Sequence, residues 1–193
     1  AAETATQHRA LHGGNIPGCG WLDPRLEAAE LTAITGAAAR IRGQVPALLC
    51  LGVGGSQLSG RAITESLAHR AAPGAARLYW GGWNLSPLYH QQLLRELDDQ
   101  PDIAVCVISK RGASLETRAA FALAKDYLQQ RYGAAWPSRV YAVTDPGCSA
   151  LRAEAEEQGY TVLAAPPHIA GRYSALTAID WARICGSAMA RNV

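Results

Sequence analysis

The amino-acid sequence predicts an α/β fold, a three-layer sandwich with a central parallel sheet of about five strands. Three observations support this class. Apolar strand-like runs alternate with helical stretches, short turns separate them, and two of the strand-like runs are apolar on both faces. A strand with two apolar faces needs helices above and below it, which is the arrangement that parallel sheets adopt.

The predicted elements follow one another in regular alternation. A first helix begins at Asp23 and Pro24, because aspartate suits the N-cap and proline suits the first helical position. Helices are predicted over residues 25–42, 56–69, 85–97, 114–132, 147–158 and 173–189. Strands are predicted over residues 45–51, 77–80, 102–109, 139–144 and 160–164. Uniformly apolar residues make 48–51 and 103–108 the expected central strands.

Composition and charge exclude several classes of function. With 49% hydrophobic and 18% charged residues, the chain of 193 residues fits one globular domain. A net charge of +2 without a basic cluster argues against a nucleic-acid partner. The apolar runs are too short to cross a bilayer, and the N-terminus is polar, so neither a membrane span nor a secretory signal is expected. Five scattered cysteines without a CxxC pair favour buried thiols in a cytoplasmic protein.

Three polar loops follow predicted strands or lie near their ends, at residues 52–56, 109–114 and 171–174. Ligands of parallel sheets bind beyond the carboxyl ends of the strands, where the crossover connections diverge. Because all three loops belong to this edge of the predicted sheet, we expect them to converge on one site.

The first loop, "LGVGGSQLSG", lets backbone N–H groups approach a ligand closely, because glycines carry no Cβ. A dinucleotide fingerprint fails in it, since Gln57 occupies the third glycine position of G-x-G-x-x-G. A nucleotide P-loop also fails, since Arg61 and Ala62 replace the lysine and the hydroxyl residue. A simpler phosphate ligand remains open, as does a purely structural role in a tight turn and close helix packing.

The second loop, "VISKRGASLET", places Ser109 and Lys110 directly after a strand and Ser114 at a helix N-cap. Hydroxyls, backbone N–H groups and a helix N-terminus together form a phosphate cradle that needs no metal. The alternative is an ordinary capped helix with solvated Lys110 and Arg111. The third loop, "AGRYS", offers Arg172, whose guanidinium can donate to an oxyanion or serve as a surface charge.

Together the three loops resemble the glucose-6-phosphate isomerase family, specifically its first sugar-isomerase (SIS) domain, which has a flavodoxin-like fold. "LGVGGSQLSGRAITESL" is similar to the family's GIGGS-x-LG segment, "VISKRGASLET" to its SK-[ST]-x-T-T-x-E phosphate loop, and "AGRYSALTAI" to its GGR-[FY]-S segment. The order and spacing agree, and the similarity covers roughly residues 20 to 180. Residues 23–193 are then the SIS-type domain and residues 1–22 an N-terminal extension.

The resemblance implies roles for individual residues. Gly54, Gly55 and Ser56 would line the sugar of a hexose 6-phosphate, and Arg172 would stabilise the enediolate of an aldose–ketose isomerisation. The residues implied in phosphate binding are Ser109, Lys110, Arg111 and Ser114. The reaction moves a proton between adjacent carbons, so it needs a base, a ring-opening acid and an oxyanion stabiliser, but no metal or organic cofactor.

The chain also departs from the family pattern. Arg111 and Ala113 stand where the family has serine or threonine, and Ala170 replaces the first glycine of GGR. The family's base glutamate, ring-opening histidine and a further lysine belong to a second SIS domain that has no counterpart in this sequence. Two functions therefore remain open. One is a part of an isomerase that works with a second SIS domain or in a homo-oligomer. The other is a non-catalytic sugar-phosphate-binding module.

Overall fold

The described part of the protein is a five-stranded parallel sheet covered by helices on both faces, as the sequence predicts. The structure is a computed structural model that describes residues 2–12, 20–22, 27–67, 75–147, 149–169, 171–174 and 177. The strands are β1 (Ala47–Leu51), β2 (Arg77–Gly81), β3 (Ile103–Ile108), β4 (Val140–Thr144) and β5 (Thr161–Ala164). The helices are α1 (Ala2–His12), α2 (Ala28–Gln44), α3 (Leu58–Ser66), α4 (Pro87–Asp98), α5 (Leu115–Tyr132) and α6 (Ala150–Gln158).

The strand order is β2-β1-β3-β4-β5, and every neighbouring pair is parallel. β1 and β3 therefore have hydrogen-bonded neighbours on both sides, which confirms the prediction that they are internal strands. From β1 the chain crosses to one side of the sheet, and from β3 it crosses to the other. The carboxyl ends of β1 and β3 thus form the point where the connections diverge, and parallel sheets bind ligands at such a point.

Two apolar clusters form the core, one on each face of the sheet, because successive strand residues point to opposite faces. On one face, Leu49 and Val105 pack with apolar residues of α4, α5 and α6. On the other face, Leu48 and Ala104 pack against α2. All residues of β1, β3 and β4 are buried, which explains their uninterrupted apolar sequence. Cys50 and Cys106 are buried thiols in register on β1 and β3.

The helix boundaries differ from the sequence prediction at several points. Residues 54–56 form a turn of 3-10 helix before α3, so α3 begins at Leu58 rather than at Ser56. α6 begins at Ala150, because the Ser149 hydroxyl accepts the backbone N–H of Arg152 and makes Ser149 the N-cap. The N-terminal segment contains α1, a helix that its polar sequence did not predict.

Two of the predicted helices extend beyond the described residues. The predicted start at Asp23 and Pro24 is outside them, and the described part of this helix begins at Ala28 after a capping box between Glu27 and Glu30. Of the predicted helix over residues 173–189, Tyr173 ends a 3-10 turn, and only Ser174 and Thr177 of the rest are described. In the described part of the chain, no helix is long and apolar enough to span a bilayer.

Candidate functional site

The three polar loops converge at the carboxyl edge of the sheet, around a cavity of about 480 Å³. We call them the β1 turn (Gly54–Ser56), the β3 loop (residues 109–114) and the 171 turn (Gly171–Tyr173). The β1 turn and the 171 turn contact each other. The described residues that line the cavity are Val53, Ser56, Ile108, Ser109, Lys110, Arg111, Ala113, Ser114 and Gly171.

The β1 turn is shaped by its glycines. Gly54 has a φ of +56°, a conformation that favours glycine, and the space where its Cβ would project is open. Gly52 is held against the neighbouring strand, since its N–H donates to the carbonyl of Gly81 at 3.1 Å. The turn thus carries the chain from a buried strand to the half-buried Ser56 at the cavity wall.

The β3 loop is anchored to the end of β4 by a buried hydrogen-bond network. The Ser109 N–H donates to the Val143 carbonyl at 3.0 Å, and the Thr144 hydroxyl donates to the Ser109 carbonyl at 2.9 Å. Thr144 is fully buried, and its hydroxyl also lies 2.7 Å from the hydroxyl of Ser149, the N-cap of α6. The backbone of the β3 loop is therefore fixed by its neighbours before any ligand arrives.

The ammonium group of Lys110 binds main-chain carbonyls of the protein itself. Its Nζ donates to the Pro167 carbonyl at 2.8 Å and to the Ile169 carbonyl at 2.7 Å. Desolvation by burial lowers the pKa of Lys110, an effect that the nearby carboxylate of Asp145 opposes and the neighbouring Arg111 reinforces. Lys110 lines the cavity as predicted, but these contacts already occupy two of its three donors.

Ser114 stands at the N-cap position of α5, and its side chain makes no capping hydrogen bond. Its backbone is extended, with φ −64° and ψ 120°, and its side chain is exposed at the cavity. Ser114 therefore occupies the N-cap position that the capped-helix alternative predicts, but its hydroxyl does not bond the helix. The first turn of this 18-residue helix begins at the cavity wall, where N–H groups and the helix dipole favour an anion.

The structure brings most of the predicted site residues together. Ser56, Ser109, Lys110, Arg111 and Ser114 line the cavity. Gly54 and Gly55 belong to the β1 turn, while Val53 and Ser56 on either side form its share of the wall. The backbone of Arg172 lies in the 171 turn, next to a cavity-lining glycine, and its side chain lies outside the described structure.

Sequence reasoning missed three contributors to the site. The carbonyls of Pro167 and Ile169 hold Lys110, and the Thr144 hydroxyl supports the loop from below. The carbonyls leave no trace in the residue types, because every residue carries one. Thr144 had a recognisable pattern, since a threonine that ends an apolar strand at the carboxyl edge is placed to bond a neighbouring loop.

Comparison with known proteins supports the family resemblance. No protein-family model matches the chain. A glucose-6-phosphate isomerase of Symbiobacterium thermophilum is 39% identical over 185 residues, which cover 89% of this chain and 41% of that protein. A crystal structure of a glucose-6-phosphate isomerase from Chlamydia trachomatis superposes with a TM-score of 0.68 at 25% identity, covering 81% of this chain and 29% of the other.

The chain is a partial relative of the glucose-6-phosphate isomerases. It spans about two fifths of the length of the curated relatives that it matches. A hypothetical protein of Thermus thermophilus shares the fold with a TM-score of 0.73 and 26% identity, covering 97% of this chain and 46% of that protein. The similarity to glucose-6-phosphate isomerases therefore extends over most of this chain.

Proposed function

We propose that the cavity binds a hexose 6-phosphate, as the substrate-binding part of an aldose–ketose isomerase that interconverts glucose 6-phosphate and fructose 6-phosphate. One observation carries this proposal: the three loops that resemble isomerase segments are far apart in sequence, yet they meet at a single cavity at the point where the sheet connections diverge. Relatives named glucose-6-phosphate isomerase support the substrate class.

The chemistry of the cavity wall suits the two ends of such a ligand. The phosphate would lie at the β3 loop, where Ser109, Arg111, Ser114 and the first turn of α5 offer hydroxyl, guanidinium and N–H donors. The sugar would lie towards Ser56 and the glycines of the β1 turn, where the absence of side chains leaves room for hydroxyl groups. Neither contact needs a metal ion or an organic cofactor.

Isomerisation requires more than this wall supplies. The enediolate oxyanion would be stabilised by Arg172 of the 171 turn, as the resemblance implies. None of the described residues that line the cavity is a carboxylate or a histidine, so the base would come from elsewhere. This observation favours the second candidate, a non-catalytic SIS module that binds a sugar phosphate or pairs with a catalytic partner.

A cytoplasmic location suits either function, because buried thiols such as Cys50 and Cys106 persist in a reducing compartment.

Calorimetric titration with fructose 6-phosphate tests the proposal. We expect Ser114→Ala to weaken binding about tenfold, because a hydrogen bond to a charged group is worth about 1.5 kcal/mol or more. The free energy of unfolding should stay nearly unchanged, since the Ser114 hydroxyl does not cap α5. Ser138→Ala, at an exposed serine in the segment between α5 and β4, is the matched control and should bind like the wild type.

Product analysis separates the two candidate functions. Binding of fructose 6-phosphate with conversion to glucose 6-phosphate supports an isomerase, and binding without conversion supports the module. If the wild-type protein releases no heat and shows no saturable binding at about 10 mM ligand, both candidates are wrong.

We also propose that the cavity edge is covered by a second SIS domain or a second copy of the chain. Three rim leucines, Leu58, Leu88 and Leu115, lie in the first turns of α3, α4 and α5 and are 61–64% exposed. Because these helices follow parallel strands, their first turns share the edge of the sheet that carries the cavity. Large apolar side chains exposed together are typical of a surface that binds another protein.

Sedimentation equilibrium at increasing protein concentration tests self-association at this edge. We expect the wild type to associate and the double variant Leu88→Asp with Leu115→Asp to remain monomeric, because a carboxylate is costly to bury in an apolar interface. Leu123→Asp, on the same helix as Leu115 but two turns further from the edge, should associate like the wild type. A wild-type protein that stays monomeric at high concentration would contradict self-association and leave a second domain as the covering partner.

A further inference from the structure

The β3 loop carries two adjacent cations whose surroundings differ. Lys110 is partly buried, and its Nζ is held at 2.8 and 2.7 Å by carbonyls of Pro167 and Ile169, which lie 57 and 59 residues further along the chain. Arg111 is exposed and forms no hydrogen bond or ion pair with another residue of the described structure. Both side chains border the same cavity.

The contacts of Lys110 connect two walls of the cavity. The segment of residues 167–169 follows β5, an edge strand, and leads directly into the 171 turn. Residues 166 and 167 are prolines and have no N–H with which to bond the sheet. The Ile169 N–H has only a long bond, 3.4 Å, to the Pro166 carbonyl. The segment is also held by the buried Ile169 side chain and by the Gly20 N–H, which donates to the His168 carbonyl at 3.2 Å, and the ammonium group of Lys110 is its described polar link to the β3 loop.

A lysine in this arrangement is poorly placed to carry the main charge for an anion. Two of its three N–H donors point at carbonyls, and reorienting them towards a ligand would leave those carbonyls without partners. The carboxylate of Asp145 further offsets its charge. A guanidinium at the cavity wall has five donors in a planar fork, which matches two phosphate oxygens at once.

We propose that the two cations have separate roles: Lys110 is a positioning residue that clasps the 167–169 segment to the β3 loop, and Arg111 is the specificity-determining residue that binds the dianionic phosphate. The assignment of Arg111 rests on the proposed function, whereas the clasp stands on the described contacts alone. In this chain Arg111 supplies by charge what the hydroxyl at the matching family position would supply by a neutral hydrogen bond. A sugar without the phosphate gains nothing from Arg111, so the site discriminates by charge.

Amide hydrogen exchange measured by NMR tests the clasp without any ligand. We expect Lys110→Met to speed exchange at least tenfold at the amides of Ile169 and of Gly20, which donates to the His168 carbonyl, while the amides of β3 stay protected. Lys110→Arg should restore most of the protection, because its guanidinium can still donate to both carbonyls. Arg111→Met should exchange like the wild type. If Lys110→Met leaves the exchange of these two amides unchanged, the clasp is wrong.

Titration with fructose 6-phosphate and with unphosphorylated fructose tests Arg111. We expect Arg111→Met to lower the affinity for fructose 6-phosphate at least tenfold and to leave any weak binding of fructose unchanged. An unchanged affinity for fructose 6-phosphate in Arg111→Met would overturn its role. If the wild type binds neither fructose 6-phosphate nor inorganic phosphate, the proposed function and the role of Arg111 both fail, and the exchange experiment still decides the clasp.

Discussion

Gly112→Ala is expected to destabilise the protein by about 2–4 kcal/mol, a large fraction of the stability of a typical domain. Gly112 has a φ of +66°, and this conformation alone costs a residue with a Cβ about 1–2 kcal/mol. The added Cβ would also lie 2.8 Å from the backbone nitrogen of Leu151 in α6, so one of the two backbones has to move. Thermal unfolding should show a decrease in Tm of roughly 2–4 °C for each kcal/mol.

The same substitution should weaken the binding of fructose 6-phosphate, because a displaced β3 loop carries Ser109, Arg111 and Ser114 with it. Gly159→Ala is the matched control. Gly159 also has a positive φ of +76°, but no atom lies within 4 Å of the position that an added Cβ would take, so only the conformational cost of about 1 kcal/mol remains. Equal losses of stability in the two variants would show that the contact between Gly112 and α6 contributes nothing.

Thr144→Val is expected to cost about 1–3 kcal/mol of stability, although valine has nearly the same shape. The Thr144 hydroxyl is fully buried and joins the Ser109 carbonyl to the Ser149 hydroxyl. Valine would take one partner from each group, because the Ser109 carbonyl would keep only the Gly112 N–H at 3.3 Å and the Ser149 hydroxyl would keep only the Arg152 N–H that it accepts. Each lost hydrogen bond costs about 0.5–1.5 kcal/mol. The measurement is chemical denaturation, with the midpoint and the slope fitted separately.

Thr161→Val provides the control for this substitution. Thr161 is half-buried at the start of the edge strand β5, and its side chain makes no hydrogen bond to a described residue. We expect a change within about 0.5 kcal/mol, as is usual for such positions. A Thr144→Val variant as stable as Thr161→Val would mean that the remaining partners satisfy the two groups, and that the Thr144 hydroxyl contributes nothing to the support of the β3 loop.

The fold could be predicted from the sequence because the most distinct sequence pattern, the uninterrupted apolar strands, also forms the buried core that stabilises the protein. β1 and β3 are apolar on both faces, so they had to lie inside a sheet with helices above and below it. The cavity loops were equally predictable, since glycines, serines and a lysine directly after such strands mark the carboxyl edge. Ser114 was placed at the right position, and only the structure shows that its hydroxyl is left for other partners.

The partners of Lys110, the start of α6 and the presence of α1 could not be predicted, because residue types do not encode the contacts on which they depend. The partners of Lys110 are main-chain carbonyls almost sixty residues away, and any segment placed there would offer the same atoms. The start of α6 was hard to predict, because several small and polar residues precede it, and the structure shows that Ser149 is the one that bonds a helical N–H among those described. α1 forms although its described side chains are almost all exposed, so no apolar periodicity indicated it.

The strand order also determines when the site comes into existence during folding. β1 pairs with β2 on one side and with β3 on the other, and the residues of β3 are more than fifty positions later in the chain. The β1 turn and the β3 loop therefore meet only after this long segment of chain has closed into a loop. The wall at Gly171 is added last, after β4 and β5 have extended the sheet. During synthesis the cavity is therefore completed only after β5 and the 171 turn have been made, and a chain arrested before β5 would have a core but no complete cavity.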